Sequence, residues 1–177
     1  LKYFRFVEQG ERTIARLGYS GELGYELLVA SAEECRLRGA LLDAGSTDGL
    51  CECTFEAANS LRIECGYVLF DREIDGKANP HELGLGNLVS NRSREFDAVR
   101  RLVGLEIEDT PPRVDLPVAQ ATSECLSPIF ETLIALGFAD PEVATGTTVA
   151  LPDGRTARVV QLPFYDRDKR RPRSAPL

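Results

Sequence analysis

Gly18-Tyr19-Ser20-Gly21-Glu22-Leu23-Gly24-Tyr25-Glu26 is the stretch on which the reading of this chain turns. Three glycines fall within seven residues. Glycine admits backbone conformations that a Cβ forbids, so the chain can bend sharply here and a flat ligand can approach the main chain. The flanks have a different character. Residues 3–7 (Tyr-Phe-Arg-Phe-Val) and 13–17 (Thr-Ile-Ala-Arg-Leu) carry strand formers, and the polar turn at residues 8–11 between them predicts a hairpin. Residues 25–29 (Tyr-Glu-Leu-Leu-Val) predict the next strand. The glycine segment is then a loop between two strands. It is not a phosphate loop, because GxxxxGK[ST] is absent and no helix follows directly. On pattern alone, such a loop serves the fold as readily as it serves a ligand.

Working outward, Ser31 with Glu34 three residues later has the form of a capping box and predicts a helix start. Cys35, Leu37, Ala40, Leu41 and Ala44 form its apolar face, and Gly45 supplies a left-handed stop. A second helix is predicted over residues 55–65, with Phe55, Ala58, Leu61 and Cys65 on the buried stripe, Arg62 at its edge and Gly66 at its end. Strands followed by helices predict an α+β layer, an antiparallel sheet with helices on one face. The polar stretch at residues 90–101 is the expected linker. Beyond it, short strand-like runs at 102–107, 117–121, 147–151 and 156–162 are punctuated by prolines, and Asp153-Gly154 marks a hairpin. Short strands with frequent turns predict a small C-terminal β-barrel. The expected domains are residues 1–95 and 96–177.

Composition narrows the function classes. The chain has 21 Lys and Arg against 28 Asp and Glu, a formal charge of -7. This balance argues against nonspecific nucleic-acid binding, which depends on cations neutralising phosphates. Hydrophobic residues at 43% and charged residues at 28% are the proportions of a globular chain. No apolar run reaches the roughly 20 residues a membrane-spanning helix needs. The expectation is a cytoplasmic protein with no membrane or nucleic-acid partner. The basic run Arg167, Lys169, Arg170, Arg171 and Arg173 is expected to be a solvated terminus. Five unevenly spaced cysteines predict reduced thiols, and Cys51-x-Cys53 with the single His81 far away predicts no metal site. A start at Leu1 and the absence of Met lead to the expectation of a piece of a longer chain.

Five motifs then occur in order. Arg16-x-Gly18-Tyr19-Ser20-Gly21-Glu22-x-Gly24-Tyr25-Glu26 resembles the RxGYTGExGxE signature of the folate-binding aminomethyltransferases, the family of the glycine cleavage T protein. Residues 60–67 resemble its SLRLExG helix end, residues 79–85 its PxExGL motif, Thr122-Ser123 with Ser127-Pro128 its TSxxxSP, and Leu162-Pro163-Phe164-Tyr165 its PFY close. The resemblance implies the C-terminal portion of a folate-binding domain followed by the family's barrel. It implies tetrahydrofolate as cofactor, with Tyr19 lining the folate pocket, Glu26 binding the pterin edge, and Arg62 donating to folate or bracing a pocket carboxylate. It also implies a tetrahydrofolate-dependent aminomethyl or methyl transferase, whose donor is a lipoylated carrier protein or a small methylamine or methyl donor. The family's catalytic aspartate belongs to its N-terminal half and matches no residue here. No catalytic residue is therefore assigned, and this N-terminally truncated part is expected to be inactive alone. Glu124 departs from the barrel motif, and residues 89–102 are short for the family. A KGCYxGQE branch is disfavoured, because Asn79-Pro80-His81-Glu82 stands in its place. The alternatives are a folate-binding or regulatory module without transferase activity, and a domain that serves assembly only.

Overall fold

The computed structural model describes residues 1–90, 98–112 and 115–175. Contacts divide the chain into two compact units, Leu1–Ala58 joined by the C-terminal segment from Asp168, and Asn59–Arg167. The expected boundary at 95/96 lies outside the described residues, as does most of the expected linker.

In the first unit, β1 (Arg5–Gln9), β2 (Arg12–Arg16) and β3 (Glu26–Leu28) form an antiparallel sheet in that order. Gln9 pairs with Arg12, so the hairpin turns on Gly10 and Glu11, and Gly10 has φ +63°. Only glycine takes that conformation freely, which is why the polar run breaks there. The first helix, α1 (Glu34–Gly45), is entered through a 3-10 turn at Ser31–Glu33, and no side chain caps either start. The capping box does not form. Instead the acidic group at the helix start, Glu33, is taken by two arginines, Arg12 and Arg36. The expected left-handed stop at Gly45 is also corrected. Its φ is -92°, and the left-handed residue is Gly49 at +77°. Gly45 is needed for space, since a Cβ there would sit 2.6 Å from Leu50 Cβ. No residue of α1 is buried.

The second helix, α2 (Phe55–Glu64), ends on Gly66 at φ +67° as expected, and the unit boundary falls within it. Its buried positions are Arg62, Ile63 and Glu64, followed by Cys65, whereas Phe55 is 59% exposed. The apolar stripe is therefore replaced by a helix end that buries two charges.

The second unit is built on five antiparallel strands: β4 (Arg101–Glu108), β5 (Ala119–Leu126), β6 (Leu133–Ala139), β7 (Thr148–Ala150) and β8 (Thr156–Val160). Their order is β5-β6-β4-β8-β7, and a parallel bridge from Val118 to Ala150 with Ala150 N–H donating to Pro117 O at 2.8 Å joins the two edges. Edge joining of this kind closes a sheet into a barrel. Val103, Leu105 and Ile107 of β4 alternate inward and meet Ala135 and Ala139 of β6, Val149 of β7, and Ala157 and Val159 of β8. Strand β6 was not expected from its sequence. It is buried on both faces, Ala135 and Ala139 inside and Ile134 and Leu136 against Ile63 of α2, and a strand covered on both sides reads as an unbroken apolar run. Gly137 is required by close packing, because a Cβ there would lie 2.5 Å from Gln120 O. Strand β5 runs past the expected end at residue 121, through a bulge between Ala121 and Ser123. The hairpin at Asp153-Gly154 joins β7 to β8, with Gly154 at φ +89°. Among the described residues no helix is long and apolar enough to cross a membrane.

Candidate functional site

The glycine segment joins β2 to β3, and its side chains divide into committed and open ones. Gly21 alone of the three glycines has positive φ, +78°, so the bend itself requires glycine there. At Gly18 a Cβ would meet nothing within 4 Å, so the absent side chain leaves the backbone open to approach. Tyr19 is 38% exposed, and Glu26 opens β3 opposite the buried Ala15. Neither side chain has a hydrogen-bonding or ionic partner among the described residues. Arg16 and Glu22, by contrast, are engaged. Arg16 is buried and donates to the carbonyls of Leu1 (2.9 Å), Pro172 (3.3 Å) and Ser174, while Glu22 pairs with Arg171 at 2.6 Å. The basic tail keeps Arg167, Arg170, Arg171 and Arg173 exposed to solvent as expected, yet it is not a free end: Pro172 is buried, and the segment folds on itself through Ser174 N–H to Arg171 O at 3.1 Å. A cleft of about 330 Å³ between β3 and α1 is lined by Leu27, Val29, Leu37, Leu41 and Leu50, and includes neither Tyr19 nor Glu26.

In the second unit Arg62 is 1% exposed. Its Nε donates to Asn59 Oδ1 (2.8 Å), one terminal nitrogen to Tyr67 O (3.0 Å) and Glu73 (2.8 Å), and the other to Ser123 Oγ (2.6 Å). Glu73, which the sequence did not single out, is 0% exposed and also accepts from Leu69 N–H (2.9 Å), Thr122 (2.6 Å) and Ser123 (2.5 Å). Burial pushes the Glu73 carboxyl up, but the Ser123 and Thr122 hydroxyls, the Leu69 N–H and the Arg62 charge outweigh it and hold the group below its ordinary range. Glu64, also buried, accepts from Ser127 Oγ. The SLRIExG and TSxxxSP motifs are therefore one buried polar network, in which hydroxyls of β5 and the turn after it satisfy carboxylates that could not be buried unpaired. Cys125 beside it has its thiol pushed up to about 11 by burial, then by the Glu64 charge, and is unreactive as a nucleophile.

The other motifs also fasten this unit. Glu82 accepts from Asn79 N–H (3.2 Å), Val99 N–H (3.3 Å) and Arg100 (3.4 Å), and its carbonyl takes Leu102 N–H at 2.7 Å, which pins the start of β4. Tyr165 N–H donates to Glu64 O at 3.0 Å, and Phe164 covers Gly104, where a Cβ would meet its ring at 2.9 Å. The departure at Glu124 lies on the barrel surface, paired with Arg155 at 2.7 Å. Of the residues the sequence singled out, Tyr19 and Glu26 belong to the first unit and Arg62 to the second. Among the described residues no group of three or more His, Cys, Asp or Glu is placed to hold a metal ion.

Comparison with known proteins follows this geometry. Residues 4–93 match the GCVT N-terminal domain, and residues 100–166 match the glycine cleavage T-protein C-terminal barrel domain. The aminomethyltransferase of Symbiobacterium thermophilum is 36% identical over 183 residues, covering 89% of this chain and 49% of that protein. That of Cutibacterium acnes is 35% identical over 178 residues, covering 87% and 48%. The chain thus spans about half the length of the curated relatives it matches. The crystal structure of glycine cleavage system aminomethyltransferase T from Bartonella henselae superposes with a TM-score of 0.77 over 94% of this chain and 54% of that one, at 24% identity, which shows the shared fold. With a three-stranded sheet and helices followed by a closed barrel, and with both domains matched, the chain belongs to the glycine cleavage T-protein family.

Proposed function

We propose that this chain is part of a tetrahydrofolate-dependent aminomethyl or methyl transferase, and that it supplies the pterin-recognising side of the cofactor site. The observation that carries the reading is the division of labour within the signature motifs. Arg16, Glu22, Glu64, Ser123 and Ser127 are bonded into the fold, whereas Tyr19 and Glu26 stand open beside a glycine-lined backbone. A free carboxylate at a strand end suits a pterin edge, whose adjacent N–H donors a carboxylate accepts as a charge-assisted fork. A half-exposed tyrosine ring offers an apolar wall to a flat ligand. Arg62 uses four of its five N–H groups within its own unit, and it acts as a brace for Glu73 rather than as the principal ligand donor.

When bound, tetrahydrofolate supplies the nucleophilic nitrogen that accepts a one-carbon unit. This chain's part is to hold and orient the pterin, and none of its residues is assigned to proton transfer. The one-carbon unit comes from a lipoylated carrier protein or from a small methylamine or methyl donor, and the chain alone does not turn over.

Calorimetric titration of the full chain with tetrahydrofolate tests this reading. Saturable binding is expected, and Glu26→Gln, which loses one charge and one acceptor, should raise Kd by about tenfold or more. The absence of saturable heat at millimolar ligand overturns it.

A further inference from the structure

We propose that the C-terminal segment at residues 168–174 is a strap that positions the glycine loop, with Arg16 as its buried pin and Glu22 as its outer clasp. All of these groups belong to the first unit. The loop at residues 18–24 has little of its own to hold it. Among the described residues its only internal hydrogen bond runs from Glu22 N–H to Ser20 Oγ, and at 3.4 Å it is long. What fixes the loop comes from the other end of the chain. At its base, the guanidinium of Arg16 is 4% exposed and has no carboxylate in ion-pairing range among the described residues. Its Nε is the one buried side-chain polar atom there without a partner. The charge is compensated by three carbonyls, two of them, Pro172 O and Ser174 O, belonging to the strap.

A buried guanidinium is stable only while those acceptors stay in place. If the strap leaves, Arg16 must turn toward water, and the end of β2 from which the loop springs moves with it. At the loop's tip, Arg171 holds Glu22 at 2.6 Å, three residues after Tyr19 and four before Glu26. The strap itself is a built turn, closed by Arg173 N–H to Arg170 O (3.2 Å), Ser174 N–H to Arg171 O (3.1 Å) and Ser174 Oγ to Arg171 O (2.7 Å). Arg16 and Glu22 are therefore positioning residues that set the backbone between Tyr19 and Glu26 without touching the ligand. The claim that this geometry serves pterin binding rests on the proposed function; the claim that the strap holds the loop does not.

Amide hydrogen exchange at residues 18–24 separates the two. Arg16→Lys keeps the charge but replaces the two terminal nitrogens that reach Leu1, Pro172 and Ser174 with one ammonium on a flexible stem, and should speed loop exchange by about tenfold while β4 and β6 exchange as before. Glu22→Arg and Arg171→Glu should each speed it by about threefold, and the double charge swap should restore it. Tetrahydrofolate Kd, followed by titration of the same proteins, should rise and recover in parallel. Unchanged loop exchange in Arg16→Lys, or a double swap no better than its singles, overturns the strap whether or not the ligand binds. Failure of the unaltered protein to bind tetrahydrofolate overturns the proposed function, and loop exchange still decides the strap.

Discussion

The two units differ in where their apolar residues go. Among the described residues, Ala15 and Pro172 are the buried apolar side chains of the first unit, and the others belong to the barrel unit. In the first unit β1 is exposed along its length, α1 buries nothing, and Phe6, Tyr19, Tyr25 and Leu28 face outward. In the barrel unit even charges are buried, and each is bonded: Arg62 to Glu73, Glu64 to Ser127, Glu82 to the backbone at Asn79 and Val99. One region stores the stability and the other presents side chains. Substitutions in the barrel should therefore move stability, and those in the glycine-loop unit should move ligand affinity.

The largest stability effect is expected where the barrel unit buries opposite charges. Replacing Arg62 by Ala leaves Glu73 unpaired at 0% exposure, and removing one partner of such a pair costs about 3–5 kcal/mol. Urea unfolding at neutral pH measures the loss, and a loss under about 1 kcal/mol breaks the comparison. Glu73 also gives a pH signature. Its carboxyl is held below the ordinary 4.5, so the folded state binds fewer protons than the unfolded one near that pH. Its contribution is present above about 4.5 and fades as the pH falls further. Glu73→Gln, though much less stable at neutral pH, should lose less on acidification than the parent. An equal or steeper acid loss assigns that sensitivity to other groups.

Next comes the barrel interior. Leu105 is fully buried between β6 and β8, and Leu105→Ala should cost about 3 kcal/mol through lost transfer energy and the cavity left behind. Gly137→Ala has the opposite defect. Its new methyl would press on Gln120 O at 2.5 Å and Leu105 Cδ1 at 2.8 Å, and overpacking of this kind costs about 2 kcal/mol. Combining the two sharpens the test, because the space vacated at Leu105 admits the methyl. The double variant should be less destabilised than the sum, and strict additivity means that the backbone contact dominates.

What the sequence revealed was local. The turn at Gly10, the helix stop at Gly66 and the hairpin at Gly154 rest on left-handed φ within a few residues, and composition marks them. What stayed hidden depends on distant partners. Arg62 was placed at the edge of a stripe because its acceptors, Glu73 and Ser123, lie 11 and 61 residues away. Strand β6 has no polar face to give it a period of two, and the Ser31 capping box does not form where a 3-10 turn at Ser31–Glu33 moves the α-helix start on to Glu34. The motifs around Tyr19, Glu26 and Arg62 were legible as a resemblance. Which of them are free and which are bonded was not, since that is set by the C-terminal tail and by β5.

The smallest stability effects should fall on the glycine-loop unit, and their smallness carries the argument. Leu41 of α1 is 42% exposed, so Leu41→Ala should change stability by no more than about 0.5 kcal/mol, against about 3 kcal/mol for the same truncation at Leu105. Glu26→Gln should also stay within about 0.5 kcal/mol, since the carboxylate has no partner among the described residues to lose. Its cost should appear only as weaker tetrahydrofolate binding, whereas Glu73→Gln should show the reverse order of effects. Thermal unfolding beside calorimetric titration of both proteins reads the contrast. If Glu26→Gln unfolds the chain as readily as Glu73→Gln does, Glu26 is part of the scaffold, and an open carboxylate can no longer be the mark of a ligand residue.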